Sequence, residues 1–344
     1  MAGGKTGRGK SAQKKAGARG GARGATGRAG RPRGRRWARA LGPNQARIMR
    51  AAVREGRSLA TEIMERRARK AGRAQARERT VPGENGIVIA EGDSWFDYPF
   101  MDVLELLEDA HGFRVESVAH KGDTVEQMAY DEAQLKQLRR AFEHLAQDNK
   151  VPRAILLSGG GNDIAGTEFG VLLNHKKSSL PAINEKVAEG IMEERLRFAT
   201  AYLITTVTSL GQQFFGHKVP VLIHGYAYPV PDGRGYLGGF WILPGPWLKP
   251  GFKEKGFFVE DNAQELANCR DLMKDLIDRF NDVQASIAGA PSFEHVMYVD
   301  LRQLLSNQLP SAYKQSWANE LHPTQAGFQT VAQSFSDALM TLPA

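Results

Sequence analysis

The 344 residues include a single cysteine, Cys269. No disulfide can close within such a chain, and a cysteine-based zinc site is excluded. This usage suits a reducing compartment, so a cytoplasmic location is the expectation. No run of 18 or more apolar residues occurs, and no membrane-spanning helix is expected. The first residues lack the apolar stretch of a secretory leader. Arg35-Arg36 resembles a twin-arginine pair, but Trp37 to Asn44 is too short and polar to complete that signal. An Arg-rich organellar leader stays open. Acid is missing altogether from residues 1–44.

What is present divides the chain in two. The formal charge of +8 conceals 24 Lys/Arg against 4 Asp/Glu in residues 1–80, a local +20, and 22 against 34 in residues 81–344, a local −12. The halves need separate physical accounts. Residues 1–44 are mostly Gly, Ala, Arg and Lys, too poor in large apolar groups to offset chain entropy, so a disordered basic tail is expected. In residues 45–80, Ile48, Ala52, Leu59 and Ile63 recur near one helical face among many arginines. They predict a basic amphipathic helix and linker, weakened by Gly56. Residues 1–80 could contact nucleic acid without sequence preference, lie on an anionic membrane, or be a solvated extension. The Pro82-to-Gly86 cluster then marks a boundary, and residues 81–344 form the expected third region.

From Ile87 onward, short apolar runs alternate with helical stretches. Strands are predicted at Ile87–Ala90, Arg114–Val118, Ala154–Leu157, Val219–Ile223 and Val296–Val299. Helices are predicted at Asp102–Ala110, Asp123–Gln147 in two pieces, Ile183–Phe215 broken near Gly190, Asn262–Ile287 and Gln325–Met340. Apolar strands separated by helices describe an α/β fold, a parallel five-stranded sheet covered on both faces.

Four short blocks stand at or beyond the carboxyl ends of these strands, where open α/β sheets bind ligands. The first is Gly92-Asp93-Ser94-Trp95, with a serine hydroxyl as candidate nucleophile, although Asp93 or Ser94 could instead cap a helix. The second is Gly122 within His120-Lys121-Gly122-Asp123, whose N–H could face the same place. The third is Ser158-Gly159-Gly160-Gly161-Asn162-Asp163, where glycines clear space and the Asn162 amide could donate to a developing oxyanion. A capping Asn162 or Asp163 is the plainer alternative. No Gly-Lys-Ser/Thr follows, which argues against a phosphate loop. The fourth is Asn319-Glu320-Leu321-His322-Pro323-Thr324, a histidine in a loop just before the last helix.

In this order and at these places, the blocks resemble the SGNH hydrolases, the GDSL-type esterase/lipase family, over roughly residues 87–340. The resemblance implies a flavodoxin-like three-layer αβα sandwich with strand order 2-1-3-4-5. It implies Ser94 as nucleophile and His322 as base. It implies an oxyanion hole from the N–H groups of Ser94 and Gly122 and the amide of Asn162. The reaction implied is hydrolysis of a carboxylic ester, with a small or carbohydrate-borne acyl group, through an acyl-enzyme. No metal or organic cofactor is needed for it, and the partner is a small-molecule ester.

One position departs from the family pattern. Three residues before the histidine, where the family carries Asp, this chain has Asn319. Asn319 could still orient His322 through its amide oxygen. Glu320, or Asp300 at the end of the fifth strand, could supply the missing acid. A non-catalytic binding protein of the same fold, localised by its basic tail, is the rival reading. A long aromatic, Pro/Gly-rich stretch follows the fourth strand, and Tyr226, Tyr228 and Trp241, with Trp95, are candidate substrate-binding residues. A self-packed surface loop or an oligomer contact is the alternative for that stretch.

Overall fold

The structure is a computed structural model that describes residues 85–99, 101–236 and 244–343. The expectations for residues 1–80 and for Trp241 lie outside the described residues. Five strands form one sheet: β1 (Ile87–Gly92), β2 (Arg114–Ser117), β3 (Ala154–Ser158), β4 (Val221–His224) and β5 (Val296–Val299), in the order β2-β1-β3-β4-β5. Every pairing is parallel, with Ala90 opposite Leu156 and Ser117 on its two sides. Val88, Ile89 and Ala90 are buried, as is the whole of β3, which is why these strands read as continuous apolar runs.

The main helices are α1 (Val103–Asp109), α2 (Val125–Tyr130), α3 (Glu132–Gln147), α4 (Arg197–Phe215), α5 (Ala263–Ala288) and α6 (Gln325–Met340). Their starts follow the sequence closely, because side-chain caps satisfy the free backbone N–H groups of each first turn. Asp102 caps α1, Thr124 and Gln127 form a reciprocal capping box on α2, Asp131 caps α3, Asn262 caps α5 and Thr324 caps α6. α1 lies against α6, while α2 and α3 both touch α4, so helices enclose the sheet in two groups. The fold is the expected flavodoxin-like α/β sandwich.

The largest difference from the expected elements concerns the predicted helix Ile183–Phe215. It is a short α-helix at Glu185–Ala188, a π-helical stretch at Glu189–Leu196 and then α4. The break does coincide with Gly190, but as a widened turn rather than an interruption. A 3-10 stretch at Gly166–Leu172 and a short helix at Lys249–Glu254 have no signal in apolar periodicity.

Candidate active site

In this strand order the chain departs from β1 to opposite sides, toward β2 and toward β3, and the ends of β1 and β3 therefore flank a crevice. The turn after β1 is held from below. The Asp93 Oδ1 atom accepts the Trp95 N–H at 3.0 Å and the Ser158 hydroxyl at 2.8 Å, and Oδ2 accepts the Tyr226 hydroxyl at 2.5 Å. Asp93 is thus fixed by β3 and by the segment after β4, and the next residue, Ser94, is presented above the sheet edge.

His322 reaches this point from a loop that folds back on itself. Trp317 and Pro323 form an antiparallel bridge, and the Ala318 N–H donates to the His322 carbonyl at 2.9 Å. Inside that loop Asn319 Oδ1 accepts the backbone N–H groups of Leu321 at 3.0 Å and His322 at 2.9 Å. These two donors settle which end of the amide is oxygen. The same oxygen lies 3.0 Å from His322 Nδ1, which must therefore carry the proton. His322 Nε2 is left with its lone pair toward Ser94 Oγ, 2.7 Å away.

The surroundings of the imidazole are apolar and aromatic. Tyr98 stacks on it with ring centroids 4.4 Å apart, and Trp247 meets it edge-on at 5.5 Å. Asn319 Nδ2 donates to the Tyr98 hydroxyl at 3.2 Å. Burial pushes the His322 pKa down to about 3, so the ring is neutral at pH 7.

Neither alternative acid reaches this ring. Glu320 is fully buried, but it turns the other way and accepts four backbone N–H groups: Gly233 at 2.9 Å, Trp247 at 2.6 Å, Leu248 at 2.8 Å and Lys249 at 3.1 Å. Burial raises its pKa against the pull of those four donors. Asp300 is engaged by Arg302, with Oδ2 and Nη2 2.6 Å apart. Both expectations are corrected by geometry: the Glu320 carboxylate leaves the bent loop toward Gly233 and residues 247–249, while that of Asp300 is held by Arg302 beyond β5, the far edge of the sheet.

Of the donors expected in an oxyanion hole, Ser94 and Asn162 share one pocket wall, and Gly122 precedes Asp123, whose carbonyl accepts the Asn162 amide. Gly122 adopts φ +92°, a left-handed backbone that suits glycine, and open space surrounds it. The N–H groups of Ser94 and Gly122 have no acceptor among the described residues. Asn162 donates one amide hydrogen to the Asp123 carbonyl at 2.9 Å, leaving the second beside Ser94 on the wall of the same pocket. Gly160, at φ +111°, admits the Phe280 ring where a Cβ would lie 2.4 Å from it.

The pocket encloses about 530 Å³, its mouth included, and its walls beyond Ser94 and Asn162 are mostly apolar, among them Ile164, Phe169, Leu248, Met273 and Ile277. Trp95 and Tyr226 line it, although both are buried and engaged elsewhere: the Trp95 indole N–H donates to the Leu321 carbonyl, and Tyr226 holds Asp93. Tyr228 is a correction. It is buried away from the pocket wall, with its hydroxyl donating to Asp278 at 2.6 Å.

Sequence reading missed the layer beneath. Ser158 Oγ bridges Asp93 and His224 Nε2, the latter at 2.8 Å, and His224 Nδ1 lies 2.5 Å from the Gly225 carbonyl oxygen. These three side chains are the components of a triad, but the hydroxyl sits between acid and imidazole instead of at one end, and all three are at most 2 % exposed. Such an arrangement braces the Ser94 turn. Its only signal in the sequence is a polar residue ending each of two buried strands, Ser158 and His224. Among the described residues no cluster of His, Cys, Asp and Glu is arranged to hold a metal.

A doubly wound parallel sheet that brings a serine and a neutral imidazole together at its carboxyl edge defines a class, the flavodoxin-like carboxylic-ester hydrolases. The sequence profile of the GDSL-like lipase/acylhydrolase family matches residues 90–335, and the chain belongs to that family. Among solved structures, similarity extends to an acetylxylan esterase from Geobacillus stearothermophilus (16 % identity, 75 % of this chain and 95 % of that one, TM-score 0.37). It extends also to a carbohydrate acetylesterase from Sinorhizobium meliloti (12 %, 74 % and 99 %, TM-score 0.41) and an extracellular lipase from Streptomyces rimosus (17 %, 74 % and 99 %, TM-score 0.38). No curated protein matches the sequence.

Proposed function

We propose that this chain is a serine esterase in which Ser94 attacks the carbonyl of a small or carbohydrate-borne acyl ester. The single observation that carries this reading is the 2.7 Å contact between Ser94 Oγ and His322 Nε2, with Nδ1 committed to Asn319. His322 takes the Ser94 proton as the C–O bond to the carbonyl carbon forms. The negative charge gathers on the carbonyl oxygen and is met by the N–H groups of Ser94 and Gly122 and by the Asn162 amide. His322 then returns the proton to the departing alcohol. Water, deprotonated by the same ring, releases the acid and restores Ser94.

A neutral orienter stabilises the transient imidazolium less than a carboxylate does. The Tyr98 face, stacked on the ring, supplies part of that stabilisation as a cation–π contact. The apolar walls suit the acyl side of the substrate. A non-catalytic binding protein is the second reading, favoured by Asn319.

Hydrolysis of p-nitrophenyl acetate by the full chain separates the two. Loss of at least about 10³-fold in kcat for both Ser94→Ala and His322→Ala is expected. A fluorophosphonate should modify Ser94 alone. Rates equal to the parent's in both variants would leave only the binding protein.

A further inference from the structure

The two loops that carry Ser94 and Asn162 are joined through one oxygen atom. Gly92 and Ser158 stand opposite each other at the ends of β1 and β3, and the Asp93 N–H donates to the Ser158 carbonyl at 3.0 Å. Past that point the two chains separate. Among the described residues no hydrogen bond runs directly from residues 94–97 to residues 159–163.

Tyr226 makes the connection. Its hydroxyl donates to Asp93 Oδ2 at 2.5 Å and accepts the Gly161 N–H at 3.2 Å. Chemistry fixes the direction: a backbone N–H only donates, which leaves the hydroxyl hydrogen for the carboxylate. Bonds chained in this way polarise and strengthen one another. Asp93 directly precedes Ser94, and Gly161 directly precedes Asn162.

The surroundings hold that oxygen in place. The Tyr226 ring is buried among Trp95, His224 and Phe280, at centroid distances of 5.1, 5.2 and 5.6 Å. Its backbone is pinned to α5, because buried Asn281 donates from Nδ2 to the Tyr226 carbonyl at 3.1 Å. Gly225 permits this approach, since a Cβ there would lie 1.9 Å from Asn281 Oδ1. Gly161 is fitted to the hydroxyl in the same way, with a Cβ position 3.2 Å from Tyr226 Oη. Burial, and after it the charge of Asp93, raises the Tyr226 pKa well above that of a free phenol, so the hydroxyl keeps its proton.

On its other side the Asn162 loop is tied to α2 and the turn before it, through Asn162 Nδ2 on the Asp123 carbonyl and Asp163 Oδ2 on the Val125 N–H. Tyr226 supplies the anchor on the side of the nucleophile. A tyrosine on a pocket wall suggests a substrate contact, but here the hydrogen and one lone pair of the hydroxyl are already committed within the protein.

We propose that Tyr226 is a positioning residue: its hydroxyl sets the spacing between the Ser94 turn and the Asn162 loop, and so aligns the nucleophile with the amide that receives the oxyanion. This inference rests on the esterase reading above, and its test separates the two.

The test follows p-nitrophenyl acetate hydrolysis by the full chain, with rates expressed per site titrated by a fluorophosphonate, so that misfolded protein is not counted. Tyr226→Phe keeps the ring and removes the bridging oxygen. It should lower kcat at least about tenfold and leave KM within about twofold, because alignment with the oxyanion counts in the transition state. Asn162→Ala should lower kcat by about 10²-fold. Adding Tyr226→Phe to it should lower kcat by less than about threefold more, since no amide is left to align. Gly161→Ala, which crowds the same oxygen from the other side, should repeat both results, and it decides the question if Tyr226→Phe does not fold. A purely structural role would lower Tm and leave kcat per titrated site at the parent's value; that outcome overturns the proposal. Independent, multiplying losses in the double variant overturn it too, as does a loss confined to KM, which would make Tyr226 a substrate contact. If turnover depends on Ser94 while Tyr226→Phe keeps its kcat, the positioning role fails alone. If the parent neither hydrolyses the ester nor takes the label, the esterase reading fails and this inference with it.

Discussion

At the scale of single residues, the decisive feature is an amide where the family pattern has a carboxylate. Asn319 fixes the His322 tautomer through Oδ1 but brings no charge to the ring. Burial alone therefore governs the imidazole, which is held down to about 3. The acid limb of the kcat/KM profile should lie well below the 6.5 of free histidine. Asn319→Asp should move that limb upward and raise kcat at pH 8 by roughly tenfold, since a carboxylate stabilises the imidazolium that forms during attack. A pH–rate profile of both proteins on p-nitrophenyl acetate checks both shifts; an unmoved acid limb would show that the ring's environment is not the one described. Tyr98 tests the other support of that cation. Tyr98→Leu should lower kcat by about tenfold, and Tyr98→Phe by less, if the ring face is what matters.

Buried Glu91 gives a residue-scale prediction about stability. Burial at the end of β1 pushes its carboxyl up to about 8, although Gly92 N–H donates to it at 3.0 Å. The folded form holds a proton that the unfolded form releases above 4.5, so stability from this group falls as pH rises from 4.5 to 8. Glu91→Gln removes that loss. It should raise Tm at pH 8 by about 2–4 °C, the equivalent of about 1 kcal/mol, and change little at pH 5. Thermal melts at the two pH values give the comparison.

At the scale of elements, the strands and the starts of the helices were legible because their causes are local. β3 is apolar at nearly every position since both faces are covered, and Asp102, Thr124 and Asn262 stand where first-turn N–H groups need acceptors. The blocks of the candidate site were legible for the same reason: each is a short sequence, three of them following a strand and the fourth just before the last helix. What stayed hidden depends on residues far apart in the chain. Nothing near Glu320 announces that it meets Gly233 and residues 247–249, and nothing near His224 announces Ser158. The direction of a side chain in an irregular loop, which separated Asn319 from Glu320, is likewise set by packing and not by periodicity. Glu320→Ala would leave four backbone N–H groups without their acceptor. It should cost about 3 kcal/mol or more and lower kcat as the loop carrying His322 loosens. Denaturant unfolding and kcat together measure this, and a stable variant with normal kcat would contradict the bracing role.

At the scale of the whole molecule, charge is segregated: +20 in residues 1–80 and −12 in the rest. If the basic segment is a contact surface, binding of the full chain to DNA or to anionic vesicles should weaken steeply as salt rises from 50 to 200 mM. Equally feeble binding to both at physiological salt would remove that role and leave the solvated extension. Among the described residues no helix is long and apolar enough to cross a membrane.

The two feet of the stretch after β4, at Gly233 and at Trp247 to Lys249, are riveted to one carboxylate that stands two positions before His322. Just inside the first rivet, Arg234 donates to the Trp317 and Ala318 carbonyls and accepts the Glu320 N–H, so the stretch is stitched to the loop of His322 on both sides of that carboxylate. Any exchange of residues 234–236 would be felt at the imidazole itself.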